Sequence, residues 1–194
     1  MTLKQVIPLM VVFLYFYHDL ACANPPSTQS LDIGSPLQGG LVGCLNGGLN
    51  NFIVIKYDIN QAWPWGNYNS VTQANSTTDG AKNTKKIINK QSSISNAAFI
   101  CAALNLDDSG RDCIAPKTCY NDWFLPSQEQ LNCLFHNRKK IGYFYQSYYW
   151  SSTESRKSAK YTALDQSFVS ERVEQFDTIK NTRLAVRCIR HLSL

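Results

Sequence analysis

Asn121-Asp122-Trp123-Phe124-Leu125-Pro126-Ser127-Gln128-Glu129-Gln130-Leu131-Asn132-Cys133-Leu134-Phe135 passes from an extended segment into a helix. Pro126 disfavours helix at the residue before it, so the chain enters extended. Ser127 is a helix-capping residue, and Gln130 three positions on completes a capping box. Leu131, Leu134 and Phe135 then recur at helical spacing and form one buried stripe. Trp123 and the Leu125-Pro126-Ser127 corner read as packing that fixes the angle of entry.

Further elements follow on both sides. Downstream, Tyr148 to Ser152 reads as a strand, with Ala159 to Leu164 and Ser167 to Val169 as further short strands. Thr182 to Arg190 reads as a last strand, with Leu184, Val186 and Cys188 on one face and Arg183 and Arg187 on the other. Upstream, Ile94, Ala97, Ala98, Cys101 and Leu104 mark an amphipathic helix with Cys101 facing the core. A polar loop from Asn105 to Asn121 joins the two helices. Earlier still, Gly39 to Leu45 and Phe52 to Tyr57 read as strands, and the β-branched Ile53, Val54 and Ile55 favour the second. Trp63-Pro64-Trp65-Gly66 opens an irregular loop, Asp79-Gly80 a turn, and Asn83-Thr84 caps a short helix through Asn89. Helices packed with short antiparallel strands predict an α+β domain.

The first 23 residues read as a signal peptide. Lys4 supplies a basic start, Val6 to Tyr17 is apolar but too short to span a bilayer, and Ala21-Cys22-Ala23 fits cleavage after Ala23. Lipidation at Cys22 is the rival reading, and Asp19 stands against it. Residues 24–38, rich in Pro, Ser and Gln, read as a flexible leader, which leaves 39–194 as the domain. An exported chain is expected in the periplasm, at the cell surface or in the medium, with no membrane segment after cleavage. Cys44, Cys101, Cys113, Cys119, Cys133 and Cys188 then remain, an even count that predicts disulfides. Fifteen pairings are open, and Cys113 with Cys119 can pin the loop that holds them. Zinc is disfavoured, since there is no Cys-x-x-Cys and only His136 and His191 lie beyond the signal.

The chain carries a net charge of +5, unevenly spread. Residues 24–137 hold seven bases and eight acids, whereas 138–194 hold eleven bases and five acids. Such an asymmetry fits either an anionic partner or a solvated surface. Ser151, Ser152 and Thr153 have no neighbouring base and no Gly-x-Ser-x-Gly elbow, so they read as hydrogen-bonding groups and not nucleophiles. Asn105, Asp107, Ser109 and Gly110 resemble the start of a calcium loop, but Pro116 stands where its bidentate Glu belongs. Tyr143, Tyr145, Tyr148 and Tyr149 follow Arg138-Lys139-Lys140 and read either as sugar-stacking rings or as a loop entering a strand. For Trp150, core packing is weighed against sugar stacking.

Several phrases in order carry a resemblance. These are Gly39-Gly40-Leu41-Val42-Gly43-Cys44-Leu45, Ser76-Thr77-Thr78-Asp79-Gly80-Ala81-Lys82-Asn83-Thr84, Cys119 to Pro126, Leu131-Asn132-Cys133-Leu134, Tyr149-Trp150-Ser151-Ser152-Thr153-Glu154 and Val186-Arg187-Cys188-Ile189-Arg190. Together they resemble the Lcl-type C-terminal domain family, named for the C-terminal domain of the Legionella collagen-like adhesin. The resemblance implies a C-type-lectin-like fold, adhesion through sulfated glycosaminoglycans such as heparin, and a homotrimer. It also implies Cys101 joined to Cys188, which leaves Cys44 with Cys133. The collagen repeat of the eponymous adhesin is absent, so the avidity it would lend is in question.

The sequence therefore predicts an exported, disulfide-stabilised, C-type-lectin-like α+β domain that binds sulfated or anionic polysaccharide without cofactor, metal or catalysis. The expected ligand-binding residues are Arg138, Lys139, Lys140, Arg156, Lys157, Lys160, Arg183 and Arg187, since Arg forks and Lys point charges suit sulfate and carboxylate. Arg172, Lys180 and Arg190 complete the basic set. A structural or protein-partner module of the cell envelope is the alternative. An enzyme related to formylglycine-generating proteins would need a reactive thiol pair. Export weighs against nucleic acid as the partner.

Overall fold

The computed structural model describes residues 31–49, 51–91 and 95–193. The expected signal peptide, residues 24–30 of the leader, and Ile94 lie outside them. Residues 31–38 belong to the domain and not to a flexible leader. Leu31, Ile33 and Leu37 pack against the core, and Gly34 N–H donates to Val42 O at 2.8 Å. Strand β1 (Pro36–Leu37) pairs antiparallel with β2 (Gly40–Cys44), which pairs with β3 (Phe52–Val54). Every residue of β2 and β3 is buried.

Trp63–Pro64 is not an irregular loop but a short strand, β4. Helix α1 (Gly80–Lys90) starts earlier than the predicted Asn83–Thr84 cap. Asp79 caps it, its Oδ1 accepting from Lys82 N–H at 2.9 Å. Asn83 is instead buried one turn in, where it accepts from Ser76 N–H at 3.1 Å and donates to Ser76 O at 2.6 Å. Gly80 allows this placement, because a Cβ there would meet Gln130 Oε1 and Leu125 O at 2.6 Å. Helix α2 (Ala97–Ala102) is shorter than its apolar spacing suggested, but Cys101 faces the core as predicted. Strands β5 (Leu106–Asp107) and β6 (Cys119–Tyr120) form a small ribbon.

Helix α3 (Gln128–Ile141) starts where the capping residues placed it. Gln130 is fully buried, and its Oε1 accepts from Ser127 N–H at 3.0 Å and Gly80 N–H at 3.1 Å, tying the starts of α1 and α3 together. Three strands follow as an antiparallel sheet, β7 (Tyr148–Glu154), β8 (Thr162–Ser167) and β9 (Gln175–Ile179).

The predicted last strand is broken. β10 (Arg183–Leu184) pairs with β4, and β11 (Ile189–His191) pairs with β3. Between them the chain crosses the core, with Ile59 N–H donating to Val186 O at 3.1 Å and Ile55 N–H to Cys188 O at 3.0 Å. The first and last strands thus share one four-stranded sheet.

The architecture is α+β, with two main helices, several short antiparallel sheets and three disulfides. Cys44 joins Cys133, Cys101 joins Cys188 and Cys113 joins Cys119, with Cα atoms 6.1, 5.4 and 5.6 Å apart. These are the bridges the resemblance and the short loop implied. One core cluster gathers Val42, Ile53, Trp65, Ile87, Trp123, Leu125 and Trp150. A second, including Phe52, Leu131, Leu134, Phe135 and Tyr149, lies under α3. Among the described residues no helix is long and apolar enough to cross a membrane.

Candidate functional site

The eight expected ligand residues do not form one face. Helix α3 lies along the β7–β8–β9 sheet, and hydrogen bonds fix its direction. Gln128 Nε2 donates to Gln175 Oε1 at 2.6 Å, Gln166 Nε2 to Asn132 Oδ1 at 3.3 Å, and Arg138 Nη2 to Glu171 Oε2 at 2.5 Å. Arg138, Lys139 and Lys140 therefore sit at one end of the sheet, beside the β8–β9 turn. Arg156, Lys157 and Lys160 sit on the β7–β8 turn at the other end. Arg183 follows the β9–β10 turn at that same end, since Thr162 of β8 pairs with Ile179 of β9. Gln128 and Lys140 bound a helix length of about 18 Å.

The two ends differ electrostatically. Arg138 lies 3.9 Å from the Phe135 ring centroid and, with Lys139, pairs with Glu171. Lys139 sits 3.2 Å from that carboxylate, and their hydrogen bond leads in holding it below its ordinary range. At the other end, Arg156, Lys157 and Lys160 are exposed and make no ion pair among the described residues. Arg183 is exposed as well, with Nη1 donating to Ala62 O at 3.2 Å.

Arg187 is not a surface base. Its side chain is 0 % exposed and pairs with Asp58 at 2.9 Å. It also donates to Tyr143 O at 2.7 Å and Lys56 O at 2.8 Å, and lies 4.1 Å from the Phe144 ring centroid. Burial pulls its pKa down, against the opposing pull of Asp58. The break in the last strand causes this inversion, because strict alternation ends where the chain crosses the core. Lys180 and Arg190 are buried too, paired with Glu154 and Asp122.

Burial thus removes three of the eleven bases in 138–194, and two of the five acids, Glu154 and Asp165. Eight bases face three acids in contact with solvent, a net of +5.

A cleft of about 440 Å³ opens beside the free bases. Thr77, Gln128, Arg156, Lys157, Gln175 and Asp177 are among the residues that line it. Its amides are held in a chain, because Gln175 Nε2 donates on to Gln166 Oε1 at 3.2 Å. The first amides of α3 are already engaged. Gln128 N–H donates to Thr153 Oγ1 at 3.0 Å and Glu129 N–H to Thr77 O at 2.9 Å. An anion here would therefore be met by side chains and not by the helix terminus.

Behind the β7–β8 turn lies a buried ion pair that sequence reasoning missed. Lys180 Nζ donates to Glu154 Oε1, Ser70 O and Ala159 O, each at 2.6 Å, over the Trp65 ring at 4.6 Å. Glu154 Oε1 also accepts from Thr72 N–H at 2.8 Å, and Oε2 from Gln73 N–H at 2.8 Å. Tyr68 and Tyr161 emerge from the two loops so tied, with ring centroids 5.0 Å apart. No local pattern marks Tyr68, because its partner lies on a distant loop.

The remaining candidates resolve by burial. Trp123 and Trp150 are core residues, so Trp150 offers no face to a sugar. Tyr149 is buried with its hydroxyl on Asp58, and burial raises its pKa, while Tyr143, Tyr145 and Tyr148 are exposed. Asp107 accepts from Lys117 Nζ at 2.6 Å, from Ser109 Oγ at 2.6 Å and from Arg111 N–H at 3.1 Å. Lys117 and then Ser109 hold its carboxyl far below the usual range.

No known family matches the sequence, and no curated protein is similar enough to count as a relative.

Proposed function

We propose that this chain is an extracytoplasmic binding module, adhesin-like and without catalysis, that takes sulfated or otherwise anionic polysaccharide at the β7–β8 turn end. One observation carries the reading. Eight of eleven C-terminal bases stay in contact with solvent after the buried ion pairs are set aside, and those beside the cleft make no ion pair among the described residues. Three disulfides suit an oxidising compartment. A first and last strand in one sheet, with a helix bridged to the last stretch of chain, supports the C-type-lectin-like architecture of the Lcl-type family. All six cysteines of the domain are bridged, which speaks against thiol chemistry of the formylglycine-generating kind.

Chromatography of the purified protein on immobilised heparin, with a neutral polysaccharide as control, tests the reading. Retention on heparin alone, lost as salt rises, is the expected result, because exposed charge pairs are screened. Flow-through at low salt overturns it. A protein-partner role is the second reading. It draws on β9, a sheet edge left unpaired among the described residues with Phe176 and Ile179 exposed, which is also where a homotrimer contact would be sought. Salt-insensitive capture of a protein, without glycan binding, would favour it.

A further inference from the structure

The β7–β8 turn has a second side. Arg156 and Lys157 face the cleft, while Tyr161 at the other end of the turn lies against Tyr68. The two rings are tilted by 35° with centroids 5.0 Å apart. They are 52 % and 38 % exposed, so neither is core packing. The ammonium of Lys160 lies 5.7 Å from the Tyr161 centroid.

The backbone beneath both rings is fixed from inside. Lys180 Nζ holds Ser70 O, two residues after Tyr68, and Ala159 O, two residues before Tyr161. Ser70 N–H donates to Lys160 O at 3.1 Å, and Lys180 N–H to Tyr161 O at 3.0 Å. Asn67 N–H donates to Gln91 Oε1 at 3.0 Å, which pins the other flank of Tyr68. A buried ion pair often adds no more stability than packed apolar side chains in its place. What this one fixes is the separation of two loops, and with it the placement of two exposed rings.

We infer that Tyr68 and Tyr161 form a stacking platform for a pyranose ring, with Lys160 beside it to meet that sugar's sulfate or carboxylate. The inference rests on the anionic-polysaccharide reading above and deepens it, by naming where a sugar ring itself, and not only its charge, is met. A pyranose offers a C–H face to the electron-rich face of an aromatic ring. A linear polyphosphate has no such face, and meets only the bases.

Calorimetry of the full protein with a heparin-derived hexasaccharide and with linear inorganic polyphosphate, at one salt concentration, tests this. Tyr68→Ala with Tyr161→Ala should weaken hexasaccharide binding about three- to tenfold, the scale of one aromatic contact. Polyphosphate affinity and the unfolding midpoint should not move. Tyr68→Phe with Tyr161→Phe keeps the rings and should bind the hexasaccharide as the parent does. Equal losses for both ligands, or no loss for either, overturn the platform and leave the polyanion reading standing. A parent protein that binds neither ligand overturns both. Weaker capture of a protein partner by the alanine pair, with hexasaccharide binding intact, would assign the rings to a protein contact instead.

Discussion

Asp165 sits in β8 in register with Trp150 of β7 and Phe176 of β9, and its Oδ1 has no hydrogen-bond partner among the described residues. Burial pushes its pKa up to about 6, opposed by a hydrogen bond with Thr178 and reinforced by the charge of Asp177. A carboxyl raised on folding gives stability that is complete below its unfolded value near 4 and is lost as pH rises through about 6. Asp165→Asn should therefore stabilise the domain by about 2–3 kcal/mol at neutral pH and by nearly nothing near pH 4. Urea unfolding of both proteins at the two pH values checks this, and a gap that ignores pH would refute it. Arg187 gives the converse case. Its removal strands Asp58 and the carbonyls of Lys56 and Tyr143, so Arg187→Ala should cost about 3–5 kcal/mol. Arg183→Ala, on an exposed side chain, should stay within about 0.5 kcal/mol. Thermal melts of the pair read that contrast directly, and similar losses for both would mean Arg187 is not the buried anchor described.

The β7–β8 turn and the end of α3 carry three basic residues each, yet only the turn should matter for an anionic chain. Glu171 already occupies Arg138 and Lys139. Arg156→Glu with Lys157→Glu should lower the salt needed to elute the protein from heparin more than Lys139→Glu with Lys140→Glu does. The reverse order would move the site to the helix end. The sequence shows why these elements were unequally legible. Helix α3 is announced locally by Pro126, Ser127, Gln130 and the Leu131, Leu134, Phe135 stripe, so its start falls where predicted. The last strand is not, because Leu184, Val186 and Cys188 alternate as in a strand while the chain is crossing between two sheets. Arg187 then turns inward to Asp58, 129 residues earlier, a partner no local pattern reveals. The cleft and the tyrosine pair were invisible for the same reason, since each joins side chains from distant segments.

At the scale of the molecule, three crosslinks close loops of very different length. Cys44–Cys133 and Cys101–Cys188 span 89 and 87 residues, Cys113–Cys119 only 6. The long bridges tie β2 to α3 and α2 to the core-crossing stretch that carries Arg187, so they hold together elements that the sheets alone do not join. The short bridge pins one polar loop. Closing a loop of about 90 residues removes enough unfolded-chain entropy for about 4–5 kcal/mol, and closing one of about six for about 2 kcal/mol. Cys44→Ala with Cys133→Ala should therefore lower the unfolding free energy roughly twice as much as Cys113→Ala with Cys119→Ala. Neither Cys113 nor Cys119 lines the basic cleft, so the short-loop variant should keep its heparin elution position while losing stability. Urea titration and heparin elution of the same two variants separate the effects. Equal stability losses would show that native packing, and not loop closure, sets the worth of these bridges. A lost heparin interaction in the short-loop variant would mean that the 105–121 loop shapes the binding surface from a distance.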